Sequence, residues 1–339
     1  MIRFGIVGFG RHAVKRLMPG FRQAQRCCVT AISRRDLRLA QESAREYGVE
    51  HAFASVPELC ASPDVDAVFV TTPDALHLAD ALEAIRHGKP VLCEKPMART
   101  AAEAGAMVSA AREAGVTLGV AHVMRFEESV KLFRNEIAAG KIGQPQMARA
   151  DFLAPLLSST RSWINDPKLA TGGPLADVGV HCIDTLRFIL GKEVVAVSAR
   201  AHYDQHWVVE AAGAMLLEFE GGVLATVSVS ARTPYRTFLE VNGETGVLSA
   251  VNGLSVEQPP TVELRHAFEV IESRQVCNAN AYAAQVDAFA AAIEEGRDFE
   301  IPGEEGLRNQ LVLDAVFRSV KSGKVETVEQ HDSSLTFGA

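Results

Sequence analysis

The chain has 339 residues, 47% hydrophobic and 22% charged, with a formal net charge of -8. That is long enough for two domains with separate cores, in proportions usual for a globular protein. The acidic balance argues against a nucleic-acid partner, which needs a basic footprint. No apolar run approaches the roughly 20 residues of a membrane span. A strand pattern that starts at Ile2 leaves no room for a signal peptide. A cytoplasmic protein with no membrane partner is therefore expected.

The first part alternates strand and helix signals. Phe4–Val7 reads as a strand, Ala13–Gln23 as a helix, Cys28–Ser33 as a strand, and Leu37–Tyr47 as a helix stopped by Gly48. Ala52–Ala54 is a short strand, Val56–Cys60 a helical turn, Ala67–Thr71 a buried strand and Leu76–His87 a helix. Val91–Cys93, Ala101–Ala114 and Leu118–Ala121 follow as strand, helix and strand. Regular alternation with short connections implies a doubly wound parallel sheet, a dinucleotide-binding Rossmann domain over residues 1–121.

Beyond it the pattern changes. Ser129–Ala139 and Gly172–Leu190 read as helices. Six strand-like runs follow, namely Val194–His202, Gly213–Glu220, Gly222–Ser230, Thr237–Asn242, Gly246–Val251 and Thr261–Leu264, before closing helices at Tyr282–Glu294 and Glu304–Ser322. Consecutive strands with tight turns predict an α+β domain over 122–339 with a large, mostly antiparallel sheet.

Gly8-Phe9-Gly10-Arg11-His12-Ala13 follows the first strand and opens a helix, the context in which G-x-G-x-x-A binds a dinucleotide. Gly8 permits the tight turn, Gly10 lets a pyrophosphate reach the backbone, Ala13 lets helix and strand pack closely, and the helix start offers amides to the phosphates. An NAD enzyme usually ends its second strand with an acid that holds the ribose 2′-hydroxyl. Here that position reads Ser33-Arg34-Arg35, with Arg38 one turn on and Asp36 too late to be the tip residue. Serine and arginine suit a 2′-phosphate, so NADP is favoured and NAD stays open. Thr72 and Pro73 form a wall on the nicotinamide side, and His77 faces either that edge or the helix surface. Glu94-Lys95-Pro96 ends the strand Val91–Cys93, which places Lys95 where ligands of such sheets bind.

The six cysteines show no C-x-x-C spacing and read as reduced, mostly buried thiols. His202 and His206 are four apart, but no carboxylate or thiolate cluster accompanies them, so no metal is expected.

Together and in this order, the glycine loop, Thr72-Pro73 with His77, Gly88 through Pro96, Ala121 through Phe126, Trp163, Gly172 through His181 with Asp184, and Tyr282, Phe289, Ile293 and Gly303 through Leu307 resemble the Gfo/Idh/MocA oxidoreductase family. The resemblance spans essentially the whole chain. It implies hydride transfer between a nicotinamide cofactor and a secondary alcohol or carbonyl of a sugar, polyol or related small molecule. Under it, Lys95 contacts substrate and nicotinamide ribose, His181 exchanges the proton of the reacting hydroxyl, and Asp177 orients the imidazole or holds a neighbouring hydroxyl. Asp177 and His181, four apart, would share one helix face. Phe9, Arg11, His12, Glu94 and Tyr282 join the cofactor site, and His122, Arg125 and Trp163 the substrate site. The family also implies a homodimer or homotetramer through the C-terminal sheet. This chain departs from it at Pro174, where a third glycine is common, and at Ile164 after Trp163, where Arg161 would have to compensate for a missing arginine. Two alternatives share the motifs: a redox-assisted NAD-dependent glycosidase, and a cofactor-sensing regulator, against which intact Lys95, Asp177 and His181 argue.

Overall fold

The structure, a computed structural model, describes residues 1–156, 162–205 and 207–329, so Arg161 and His206 lie outside it. Two compact units make up the chain. Among the described residues, one comprises Met1–His122 with Tyr282–Gln310, and the other Val123–Ala281 with residues 311–329. Tyr282–Gln310 thus groups with the first unit, whereas the sequence reading put it in the second domain. The reason is packing: Phe289 lies 6.1 Å from Phe4 and 5.1 Å from Phe299, between ring centroids. A Cβ at Gly119 would lie 2.6 Å from the Phe299 ring and 2.9 Å from that of Phe289, and Val120 N donates to Ile301 O at 3.0 Å.

The first unit carries, among the described residues, six parallel strands: β1 (Ile2–Val7), β2 (Cys27–Ser33), β3 (His51–Phe53), β4 (Ala67–Val70), β5 (Val91–Cys93) and β6 (Leu118–Val120). Their order is β3-β2-β1-β4-β5-β6, which reverses direction between β1 and β4 and makes the crevice there the expected ligand position. Burial of β4 and β5 on both faces follows from helices on either side: α1 (Met18–Gln23), α2 (Leu37–Tyr47), α3 (Val56–Ala61), α4 (Asp74–Arg86) and α5 (Ala101–Ala114). A π-helical turn at Ala13–Leu17 precedes α1 where one unbroken helix was expected. Asp36 accepts from Leu39 N at 3.2 Å as the cap of α2, which accounts for its position past the strand tip.

The second unit contains α6 (Glu128–Ala138), α7 (Pro174–Asp177) and α8 (Gly179–Leu190). They accompany a nine-stranded sheet among the described residues: β7 (Pro145–Leu153), β8 (Val194–Tyr203), β9 (Glu210–Phe219), β10 (Leu224–Ser230), β11 (Arg236–Gly243), β12 (Val247–Val251), β13 (Thr261–His266), β14 (Glu269–Gln275) and β15 (Glu326–Thr327). The order is β14-β13-β12-β11-β7-β10-β9-β8-β15, antiparallel except between β7 and β10. α9 (Ala281–Glu295) and α10 (Gly303–Ser322) follow β14, and α10 passes from the first unit's residues into the second's. Apolar side chains of α8, such as Ile183 and Leu186, join Met215, Leu217 and Val227 of the sheet in one core. β7, β14 and β15 escaped the sequence reading.

The expected helix over Gly172–Leu190 is two helices that meet at Val178 (φ -114°, ψ -24°). A Cβ at Gly179 would lie 3.3 Å from Pro174 O, so α8 begins tight against the first residue of α7. Asp177 closes one helix and His181 lies in the next.

All six cysteines are free thiols: Cys27, Cys60, Cys93 and Cys182 buried, Cys28 half-buried and Cys277 exposed. Among the described residues no helix is long and apolar enough to cross a membrane, and no group of three or more His, Cys, Asp or Glu residues could hold a metal ion. His202 sits on strand β8, with Nε2 2.9 Å from Arg232 Nη1.

Candidate active site

Register aligns the carboxyl ends of the parallel strands. Ser33, Val7, Val70, Cys93 and Val120 are neighbours in one row. The residues that follow them therefore emerge along one edge: Arg34, Gly8, Thr71, Glu94 and Ala121. Polar bonds tie this edge together. Thr71 Oγ1 donates to Val7 O at 3.0 Å and Gly8 O at 2.9 Å, and Phe9 N donates to Ser33 O at 3.0 Å.

Gly8 has φ +82°, and a Cβ there would lie 2.6 Å from Thr72 Cγ2 and 2.9 Å from Thr72 N. Only glycine fits such a turn. At Gly10 a Cβ would meet nothing nearer than Gly8 O at 3.7 Å, which leaves open space over the backbone. Helical structure starts at residue 11, so the loop leads directly into a first turn whose amides suit a phosphate. These residues fit a dinucleotide pyrophosphate.

The glycine loop is joined to the lysine motif by His12, whose Nε2 lies 2.8 Å from Glu94 Oε1. Glu94 Oε2 also accepts from Lys95 N at 3.2 Å. The Lys95–Pro96 peptide is cis, and Lys95 is half-buried. Tyr282 of α9 sets its ring 6.1 Å from that of His12 and packs against Gly20 of α1. At the second strand's tip Ser33 is buried, and Arg34 Nη1 donates to Ser43 Oγ at 2.8 Å. Arg38 is an exposed partner of Glu42, Nη1 to Oε1 2.7 Å.

His77 is 1% exposed, with Nδ1 2.9 Å from Pro96 O and Nε2 2.8 Å from Thr72 O. It is not a helix-surface residue; Pro73, just before α4, opens the helix that holds it in place. Thr72 Oγ1 donates to Asp80 Oδ2 at 2.6 Å, and burial raises the Asp80 carboxyl above its ordinary range. His122 is buried after β6, with Nε2 2.9 Å from Asn309 Nδ2 of α10.

The remaining candidates belong to the second unit. Arg125 is buried beside fully buried Asp184: Nε lies 3.1 and 3.0 Å from the two carboxylate oxygens and Nη2 2.6 Å from Oδ1. Its guanidinium also stands 5.1 Å over the Phe188 ring. Asp177 and His181 are both buried, and His181 stacks on Phe152 with centroids 6.1 Å apart. Trp163 is half-buried in a short 3₁₀ turn, Ser162–Asn165.

Glu210, Asn309 and Asp80 were not anticipated. Glu210 accepts from Leu175 N at 3.0 Å at the start of α7, and its backbone explains the glycine pair. A Cβ on Gly173 would lie 1.9 Å from Glu210 O. Burial pushes the Glu210 carboxyl up, against backbone hydrogen bonds at Gly173, Glu210 and Leu175 that pull it down. An isolated glutamate at a strand start carries no motif; only the glycine pair hinted that some backbone passes close by.

Fold and edge together define an NAD(P)-binding oxidoreductase of Rossmann type. Residues 2–122 match the oxidoreductase family with an NAD-binding Rossmann fold, and residues 130–249 match the GFO/IDH/MocA C-terminal domain. The chain is 36% identical over 334 residues to 1,5-anhydro-D-fructose reductase of Ensifer adhaerens, covering 97% of this chain and 99% of that protein. It is 30% identical to D-xylose 1-dehydrogenase (NADP(+)) 2 of Haloferax volcanii, covering 94% and 98%. Among solved structures, the aldose-aldose oxidoreductase of Caulobacter crescentus, complexed with glycerol, superposes with a TM-score of 0.88 at 25% identity, covering 96% and 99%. The chain belongs to the GFO/IDH/MocA oxidoreductase family.

Proposed function

We propose that this enzyme interconverts a secondary alcohol and a carbonyl on a sugar, polyol or related small molecule, with NADP(H) preferred. The observation that carries the reading is the common strand edge, where Lys95 follows the Glu94 that His12 holds to the glycine loop. Residues 1–121, together with Tyr282, would hold the cofactor, and the rest of 122–339 the substrate and oligomer surfaces. When bound, the cofactor supplies or accepts the hydride. Lys95 would stabilise negative charge on the reacting oxygen and lower the pKa of the substrate hydroxyl. His181 would exchange its proton, a task suited to imidazole, and Asp177 would orient the imidazole or hold an adjacent hydroxyl.

The preference for NADP is supported by Ser33 and Arg34 at the second strand's tip. Arg34 spends one of its donors on Ser43 and retains others for a 2′-phosphate. One similar relative is named as an NADP(+) enzyme. A homodimer or homotetramer through the large sheet is supported by exposed Met147, Leu216 and Val251, which the strand register places on one face. Reduced thiols and the lack of a long apolar helix among the described residues support a cytoplasmic location.

The test is a screen of NADPH oxidation against keto-sugars, aldoses, inosones and α-dicarbonyls. Lys95→Ala and His181→Ala should each lower turnover about 100-fold or more while cofactor affinity holds; near-normal turnover in both sinks the assignment. Net cofactor consumption by a free sugar separates this reading from a redox-assisted glycosidase.

A further inference from the structure

The two ring nitrogens of His77 face acceptors that have no hydrogen to give. Nδ1 lies 2.9 Å from the carbonyl oxygen of Pro96, and Nε2 2.8 Å from that of Thr72. A neutral imidazole carries a single N–H. One of the two nitrogens would then set its lone pair against a carbonyl oxygen in a buried place, a repulsive contact even though the Cys93 side chain also hydrogen-bonds the ring. Only the doubly protonated ring donates to both carbonyls.

We propose that His77 is a charged clamp: an imidazolium at neutral pH that donates to the Thr72 and Pro96 carbonyls and so holds the segment bearing Lys95 in register with the end of β4. It is a positioning residue, since its donors are spent on protein backbone and it is 1% exposed. The proposal rests on the reading of Lys95 as a residue of the reacting centre.

The surroundings suit a cation. Asp74 and Asp80 approach from its own helix and Cys93 from β5. Asp80 also holds the Thr72 hydroxyl, so one carboxyl serves the side chain of the residue whose carbonyl the imidazole binds. Burial is the largest single influence on His77 and lowers its pKa; Cys93 by charge and hydrogen bonding, Asp74 by charge and the Thr72 carbonyl by hydrogen bonding raise it, to about 10 overall. The folded protein thus keeps a proton that the unfolded chain releases near 6.5. The stabilisation is complete below that pH and is lost as pH rises through about 10.

The direct test is ¹⁵N–¹H spectroscopy of histidine ring nitrogens in the full chain, with the His77 signals assigned by their disappearance in His77→Gln. Two protonated nitrogens at pH 8 support the clamp and one unprotonated nitrogen overturns it; where His77→Gln does not fold, His77→Asn serves for the assignment. His77→Gln carries both its N–H groups on one nitrogen and cannot place a donor at each ring-nitrogen position, and a displacement of about 1 Å near the chemistry costs about 100-fold in rate. The expected result is a loss of that size in kcat with little change in the KM for NADPH. An unchanged kcat, or a loss confined to cofactor KM, overturns the proposal. Lys95→Ala measured alongside separates the two readings. Retained turnover in Lys95→Ala removes the role of Lys95 while the spectrum still decides the charge of His77. Lost turnover there with full turnover in His77→Gln defeats the clamp alone.

Discussion

Replacing Arg125 by alanine should destabilise the second unit strongly, before any effect on catalysis is considered. Arg125 meets Asp184 through three N–O distances of 2.6 to 3.1 Å, and Asp184 is 0% exposed. Removing one partner of a buried pair leaves the other charge in a medium that solvates it poorly, at a cost of about 3–5 kcal/mol. For units of this size each kcal/mol lowers the midpoint by about 2–4 °C, so a drop of about 6–20 °C is expected. Arg125→Met/Asp184→Leu, which removes both charges and keeps apolar volume beside Phe188, should recover most of that loss. Thermal unfolding of both variants, followed by circular dichroism with and without NADPH, measures the effect. An Arg125→Ala midpoint within about 2 °C of wild type, with a large loss of NADPH or substrate affinity, would refute the reasoning. It would restore the expectation that Arg125 serves the substrate site.

Gly8→Ala forces a left-handed residue, at about 1–2 kcal/mol, and drives a methyl to 2.6–3.0 Å of Thr72 atoms, two of them backbone. NADPH binding, read by nucleotide fluorescence, should weaken at least 10-fold, and unchanged affinity would count against the close approach. Glu127 is fully buried, accepts from Asn278 Nδ2 at 3.1 Å, and has its carboxyl pushed well above the ordinary range by burial. A raised carboxyl is stabilising while protonated, and that contribution is lost as pH rises above about 4.5. The stability of Glu127→Gln relative to wild type should therefore increase from pH 5 to pH 8 in urea titrations; a constant or shrinking difference would contradict this. Arg34→Ala should weaken NADP more than NAD in paired binding titrations, and equal losses would speak against a 2′-phosphate contact.

Much of the first unit was legible because its signals are local. A glycine loop after a strand, alternation of strand and helix, and Glu94-Lys95-Pro96 after an apolar run each require only neighbouring residues. The second unit was less so. β7 lies at the centre of its sheet, yet exposed Met147 and Arg149 alternate with buried Ala148 and Ala150, and Gln146 is exposed at its start, so no continuous apolar run marks it. β14 is an edge strand with little burial, so no apolar stripe marks it. The break at Val178 was invisible because helical periodicity continues across it; the crowding of Gly179 against Pro174 O and Met215 arises only in three dimensions. Both nitrogens of His77 are committed to carbonyls that lie apart from it in sequence, so spacing alone left that residue open between cofactor edge and helix surface.

The parallel β7–β10 pair bears on how the second unit is assembled. Hairpins can zip β8 to β9 and β9 to β10 as each turn forms, but β7 has no sequence neighbour to pair with. Its two partners begin at Leu224 and Arg236, after both α7 and α8. Closing that long loop costs entropy before any contact rewards it, which makes this pairing a slow step in folding. A chain emerging from the ribosome would carry Pro145–Leu153 unpaired on both edges until residues 224–243 appear. Fragments that end before residue 224 should therefore aggregate through β7.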